Sequence, residues 1–220
     1  MLGVSQVSAT LEKLTWPNLG EAPEKPGVYA WYVRLVLGEA DLTEFESSVM
    51  KEQSSGGRPA YIVEDMLTRH FFHPFRETPY SVNLTGPLKP RYAGELKHEP
   101  AASAGLVDRL IDDPSRLRPL AHVLGAAAPY FTAPLYIGMA SNLRGRLQQH
   151  KDRIIRFTNN PGSLHNEESA SGFAEQVVQR NFNPTQLFVQ YLVVDNINAD
   201  EQVDLENILN RINFPIFGRN

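Results

Sequence analysis

The sequence predicts an α+β fold: a small antiparallel β-sheet flanked by helices, with a large inserted subdomain between the first two core strands. Short β-branched and aromatic runs at residues 27–36, 134–137 and 185–194 read as strands. Apolar residues at helical spacing follow the second and third runs. Residues 38–133, between the first two runs, carry element signals of their own.

Residues 27–36 (GVYAWYVRLV) follow Pro26 and are rich in Val, Tyr and Trp, so they form a strand entered from a turn. Within 38–133, a polar helix is expected over about 41–53, then a flexible turn at 54–59 (SSGGRP). Residues 80–85 and 89–97, divided by Gly86-Pro87, read as a hairpin, and 106–111 and 116–124 as short helices. The second strand, 134–137, leads into Gly138, after which Ser141 caps a helix over about 142–157. Gly145 inside that helix costs about 1 kcal/mol relative to Ala, which implies a packing or backbone-approach reason for it. A polar loop with Pro161 and Gly162 precedes a helix near 172–180. Residues 185–194 (TQLFVQYLVV) form the third strand, buried on one or both faces. The closing helix, 199–212, carries Leu205, Ile208, Leu209 and Ile212 and stops before Pro215. We read one domain over 1–220 with 38–133 as an insertion subdomain, and neither an internal repeat nor a low-complexity tract is evident.

With 42% hydrophobic and 21% charged residues in 220, the chain has the composition of a folded soluble protein. No apolar run approaches the roughly 20 residues that cross a bilayer, and the start lacks a signal-peptide pattern. A cytoplasmic protein without a membrane partner is the expectation. The absence of cysteine excludes a disulfide framework, a thiolate nucleophile and a Cys-rich zinc site. The net charge is -4, yet residues 141–156 hold Arg144, Arg146, Lys151, Arg153 and Arg156 against Asp152, a local +4 that leaves -8 for the remainder. A basic patch on an acidic body suits phosphate binding at one place, and a solvated helix face is the plainer reading.

Two short patterns carry more chemistry: Gly27-Val28-Tyr29, and Tyr136-Ile137-Gly138 followed by Arg146 and His150. Together with Glu206 in LENILNRINFP they resemble the GIY-YIG nuclease superfamily. Each tripeptide alone says little; the ordered combination is the signal. The resemblance implies that the two tripeptides lie on antiparallel neighbouring strands. It also implies that the following helix supplies the Arg ten residues after the second tyrosine, with a His four residues later, and that a later helix supplies a metal-binding Glu. It covers residues 27–33 and about 135–220, looks closest to restriction-type members, and leaves the insertion unaddressed. Met139 stands where the family commonly has Lys, and Gly218 where it has Asn, so Asn220 is the candidate substitute. The 106 residues between Tyr29 and Tyr136 exceed the family's usual connection.

Phosphodiester hydrolysis needs an in-line nucleophile, neutralisation of charge on the non-bridging oxygens and stabilisation of the leaving oxygen. The resemblance implies that Tyr29 or Tyr136 orients or deprotonates water, Arg146 contacts the phosphate, His150 assists proton transfer, and Glu206 holds Mg²⁺ or Mn²⁺. Arg144, Lys151, Arg153 and Arg156 are expected to contact DNA. At about 100° per residue Asn142, Arg146, His150 and Arg153 share a helix face beside a Leu143, Leu147, Ile154 stripe, which places Arg146 and His150 at the rim. The restriction-type resemblance also implies a homodimer, with the insertion as recognition element or interface. Taken singly, strand tyrosines are packed core residues, an Arg and His at i, i+4 are surface residues, and Glu206 is a solvated acid. A DNA-binding or assembly module that has lost cleavage is the second reading, and an unrelated scaffold the third. His70 and His73 lack a carboxylate at ligand spacing and read as core or surface residues.

Overall fold

The computed structural model describes residues 10–77, 79–84, 86–87, 92–162, 172–194 and 198–217. The fold is α+β, with a small antiparallel sheet flanked by helices. The chain divides into two compact units, Met1–Arg34 with Ala127–Asn220, and Leu35–Ala126.

The first unit is built on a four-stranded sheet in the order β1-β6-β2-β5, formed by β1 (Glu12–Thr15), β2 (Gly27–Val33), β5 (Tyr136–Ala140) and β6 (Leu187–Val193). All neighbours are antiparallel, and β2 is central because it alternates a buried and a half-buried residue along its whole length. Register sets Tyr29 opposite Gly138 and Trp31 opposite Tyr136. Gly27, Tyr29, Trp31 and Val33 therefore share a face with Tyr136, Gly138 and Ala140. The expected second strand ended before Gly138, but β5 continues through Ala140 because its glycine is a ladder residue, not an exit turn. β1 had no expected counterpart: four residues are too few to show periodicity, and pairing with β6 makes it a strand.

Helix α5 (Leu143–Asn159) covers the sheet; the Asn142 side chain, not Ser141, accepts the Gly145 N–H at 2.9 Å and caps it. Its buried residues are Leu143, Leu147, His150, Ile154 and Phe157, a stripe at helical spacing. Helix α6 (Phe173–Gln179) packs beside α5 through Phe173, Ala174 and Val177. Helix α7 (Ala199–Asn213) lies along β5 and ends at Phe214, whose backbone turns left-handed at φ 47.

The second unit packs α1 (Glu39–Ser54), α2 (Ala60–Leu67) and α3 (Ala104–Asp112) around Leu42, Phe45, Val49, Val63, Leu67, Val107 and Leu110. Helix α2 runs on into one π-helical turn at Thr68–Phe72 and has no expected counterpart, since eight residues give a short apolar run without a legible period. Helix α4 (Leu117–Phe131) extends beyond the expected 116–124 and accommodates Pro129. Two further strands, β3 (Tyr80–Leu84) and β4 (Tyr92–Leu96), form a separate two-stranded ribbon.

Candidate active site

Tyr29 lies at the centre of the arrangement. Its hydroxyl is 2.9 Å from His150 Nε2 and accepts from Arg146 Nε at 3.3 Å, across 121 and 117 residues of chain. The sheet supplies the phenol and α5 supplies both partners, because positions 146 and 150 are one helical turn apart. Tyr136, two registers along the same sheet face, sets its ring 6.2 Å from that of Tyr29 and 5.8 Å from that of His150. Arg146 Nη1 also donates to Gln149 at 2.6 Å, which steadies the guanidinium.

Glycine makes this contact possible. A Cβ on Gly138 would lie 2.6 Å from the Tyr29 hydroxyl and 2.9 Å from the Tyr136 ring, well inside contact distance. A Cβ on Gly27 would sit 2.3 Å from the Leu192 carbonyl. Each glycine is thus required by close approach of its neighbours, a use of glycine in strands that sequence shows only as a tripeptide.

His150 differs from its expected place at the rim. It is 6% exposed, at the middle of the buried stripe, because Leu143, Leu147, Ile154 and Phe157 bracket it on both sides along the helix. Four rings box it in: Tyr29, Trp31 at 6.1 Å edge-on, Tyr136, and Phe173 at 5.3 Å edge-on. Trp31 and Phe173 in turn stack at 4.8 Å. Phe173 comes from α6, and its part in the box carries no signal in the sequence beyond a lone aromatic.

Burial, with the charges of Arg146 and Arg153, pushes the His150 pKa down to about 3, so the imidazole is neutral at physiological pH. Burial and the neighbouring Tyr136 push the Tyr29 phenol up, against the opposing pull of Arg146, so its proton stays on. Tyr136 is also raised, first by burial and then by the negative charge of Glu206. The resting site is therefore a protonated phenol beside a neutral imidazole, with one guanidinium against them.

Glu206 belongs to the same neighbourhood, since its charge acts on both phenols. Its Oε2 accepts the Met139 backbone N–H at 2.9 Å. β5 is an edge strand, so an outward amide there needs a partner, and α7 provides it. The expected apolar stripe of α7 does not face the core. Leu205, Glu206, Leu209 and Asn210 are half-buried, whereas Ile208 and Ile212 are 54% and 67% exposed. The helix is turned by roughly 80° from its apolar axis, at 100° per residue, toward the side that brings in the carboxylate.

Among the described residues no group of three or more His, Asp or Glu gathers to hold a metal by side chains alone. Glu206 Oε1 has no hydrogen bond among them, which leaves one carboxylate oxygen available. A single carboxylate suits Mg²⁺ or Mn²⁺, which retain waters and draw further oxygens from a phosphate. Asn220 and Gly218 lie outside the described residues.

The basic stretch does not fold into one patch. Arg144 and Lys151, seven residues apart, share one flank of α5; Arg153 and Arg156 lie on the other, with Arg146. Arg144 is committed to the Ala22 carbonyl at 2.7 Å and Glu24 at 2.6 Å, and Lys151 to the Trp16 carbonyl at 3.2 Å. Arg153 and Arg156 lie over the Phe157 ring at 5.7 and 4.9 Å. A cleft of about 440 Å³ in the second unit, lined by Asp41, Glu44, Phe45, Tyr61, Asp65 and His70 among others, includes none of the motif residues. No family model, curated protein or solved structure matches the chain.

Proposed function

We propose that this protein is a divalent-metal-dependent endonuclease that hydrolyses DNA phosphodiester bonds through a GIY-YIG-type site, on a GIY-YIG-like core into which residues 38–133 are inserted. The observation that carries this reading is the contact of one buried tyrosine hydroxyl with both His150 and Arg146. A packed core tyrosine needs one partner for its hydroxyl; this one meets a neutral base and a cation beside a second phenol and a carboxylate.

In the proposed reaction Arg146 donates to the non-bridging phosphate oxygens, where its fixed charge counts most in the transition state. A water proton passes to the Tyr29 oxygen as the Tyr29 hydroxyl proton passes to His150 Nε2. His150 is neutral in the resting site, and the negative charge of a bound phosphate beside it would raise its affinity for that proton. The water oxygen bonds to phosphorus as the bond to the leaving oxygen breaks, and the leaving oxygen takes a proton from solvent, which yields a phosphate monoester end and a hydroxyl end. Mg²⁺ or Mn²⁺ held by Glu206 would supply charge neutralisation at the leaving oxygen. Arg153 and Arg156, on the Arg146 flank, extend the phosphate contact; Arg144 and Lys151, on the other flank, donate to the Ala22 and Trp16 carbonyls.

Supercoiled plasmid incubated with the protein and Mg²⁺ or Mn²⁺ tests the reading. Nicking is expected only with metal, with a loss of at least about 100-fold in Glu206→Gln, whose amide oxygen can still accept the Met139 N–H. Equal nicking by Glu206→Gln refutes the assignment. Binding without nicking under any metal favours the cleavage-deficient module instead, consistent with Met139 and Gly218 at positions where related nucleases carry Lys and Asn.

A further inference from the structure

Phe173 closes the box around His150, and its own helix gives it little support. α6 runs only from Phe173 to Gln179, too short to be stable by itself, and Phe173 is its first residue, where helices fray. The ring is fixed from outside. It stacks on Trp31 at 4.8 Å, meets Tyr136 at 5.5 Å and His150 edge-on at 5.3 Å, and also packs on Phe217 at 5.9 Å.

Phe217 touches both ends of that helix. Besides Phe173 at the start of α6, its ring meets Phe182 edge-on at 5.6 Å and lies under the Arg180 guanidinium at 4.9 Å, and these two residues follow the end of α6. The Phe182 N–H donates to the Val177 carbonyl at 3.0 Å, which ties that exit back to the helix. The Phe217 backbone is anchored beside the sheet: the Ile216 N–H donates to the Pro134 carbonyl at 3.0 Å and the Phe217 N–H to the Leu135 carbonyl at 2.8 Å, directly before Tyr136. To reach this place the chain leaves α7 through Phe214 at φ 47, a left-handed conformation unfavourable for phenylalanine. Such a residue persists where its surroundings over-determine it, and the pinned backbone at Ile216 and Phe217 does so here.

We propose that Phe217 is a positioning residue of the candidate site: it pins α6 to the strand that carries Tyr136 and, through Phe173, holds the His150 imidazole with Nε2 toward the Tyr29 hydroxyl. That orientation has a signature. Tyr29 keeps its proton and accepts from Arg146, so its O–H donates to His150 Nε2 and the imidazole proton sits on Nδ1. Which nitrogen carries the proton follows from the hydrogen bond that the other makes, so this tautomer persists while the ring is held against Tyr29. A Phe217 that only filled space would support stability and leave the tautomer alone. The proposal concerns the same site as the nuclease reading and rests on that reading only for its effect on cleavage.

Long-range proton–nitrogen NMR spectra of protein labelled with ¹⁵N-histidine test it at neutral pH, with plasmid nicking followed in parallel. The chain has six histidines, and His150 is the one whose signals vanish in His150→Asn. The wild type is expected to show His150 as one neutral tautomer protonated at Nδ1, and Phe217→Tyr, which retains the ring, to keep it. Phe217→Ala is expected to give a mixture of the two tautomers with an unchanged circular dichroism spectrum. If Phe217→Ala does not fold, Phe217→Leu, which keeps apolar volume without the ring, takes its place and is expected to give the same mixture. Phe45→Leu, a core substitution in the second unit, controls for lost stability and is expected to leave the tautomer alone. In nicking, Phe217→Ala is expected to lower kcat about tenfold and to change KM by less than about twofold, since Arg146 still contacts the phosphate. A wild type protonated at Nε2, a single Nδ1 tautomer retained without the Phe217 ring, or the same mixture in Phe45→Leu overturns the proposal. A wild type that cleaves nothing refutes the nuclease reading, and the spectra then decide the role of Phe217 by themselves.

Discussion

Gly138 illustrates how much a single missing methyl group decides. The Tyr29 hydroxyl occupies the space that a side chain at 138 would fill, at 2.6 Å from the would-be Cβ. Gly138→Ala is expected to displace the phenol from His150 and Arg146, which costs about 1 to 3 kcal/mol of stability through overpacking. On the proposed nuclease reading, a misplacement of about 1 Å at the reacting group is expected to lower metal-dependent nicking about 100-fold. Nicking at the wild-type rate by a folded Gly138→Ala protein would show that Tyr29 need not occupy that position. The pattern of glycines and tyrosines was legible in the sequence, but its reason was not. Spacing states which residues recur, whereas only register places Gly138 opposite Tyr29.

Among the elements, α5 and α7 were both legible as amphipathic helices to within two residues of their ends; the Leu143, Leu147 and Ile154 face of α5 packs as expected, whereas α7 is turned away from its apolar stripe. Hydrophobic period locates an apolar arc, but the face that packs depends on what the neighbouring strand offers. On α5 the arc has His150 inside it, so an expected rim residue is a core one. On α7 the hydrogen bond from Met139 to Glu206 goes with two isoleucines left in water. The division of basic residues between the flanks of α5 makes a separate prediction. Arg156→Ala is expected to reduce the slope of log affinity for duplex DNA against log salt by about 0.9, one phosphate contact, while Lys151→Ala leaves it unchanged. Equal effects of the two variants would mean that the flanks are equivalent.

For the molecule as a whole, the neutral imidazole at the centre ties stability to pH. His150 titrates at about 3 when folded, against 6.5 for the free residue, so the unfolded chain takes up a proton that the folded one refuses. Its contribution is complete above pH 6.5 and is lost as pH falls toward 3, by up to about 1.4 kcal/mol per pH unit. Denaturant melts between pH 4 and 8 should show that slope in the wild type and a flatter one in His150→Asn. Identical slopes would contradict a buried neutral histidine. By itself the sequence determined the α+β class, the hairpin, most helices and the order of the motif residues, because period, caps and breakers act over a few neighbours. Only the tertiary structure decided the edge position of β5, the burial of His150 and the turn of α7. Those depend on pairing and packing between residues far apart in the chain, 121 positions for Tyr29 and His150 and 67 for Met139 and Glu206, where local propensity carries no information.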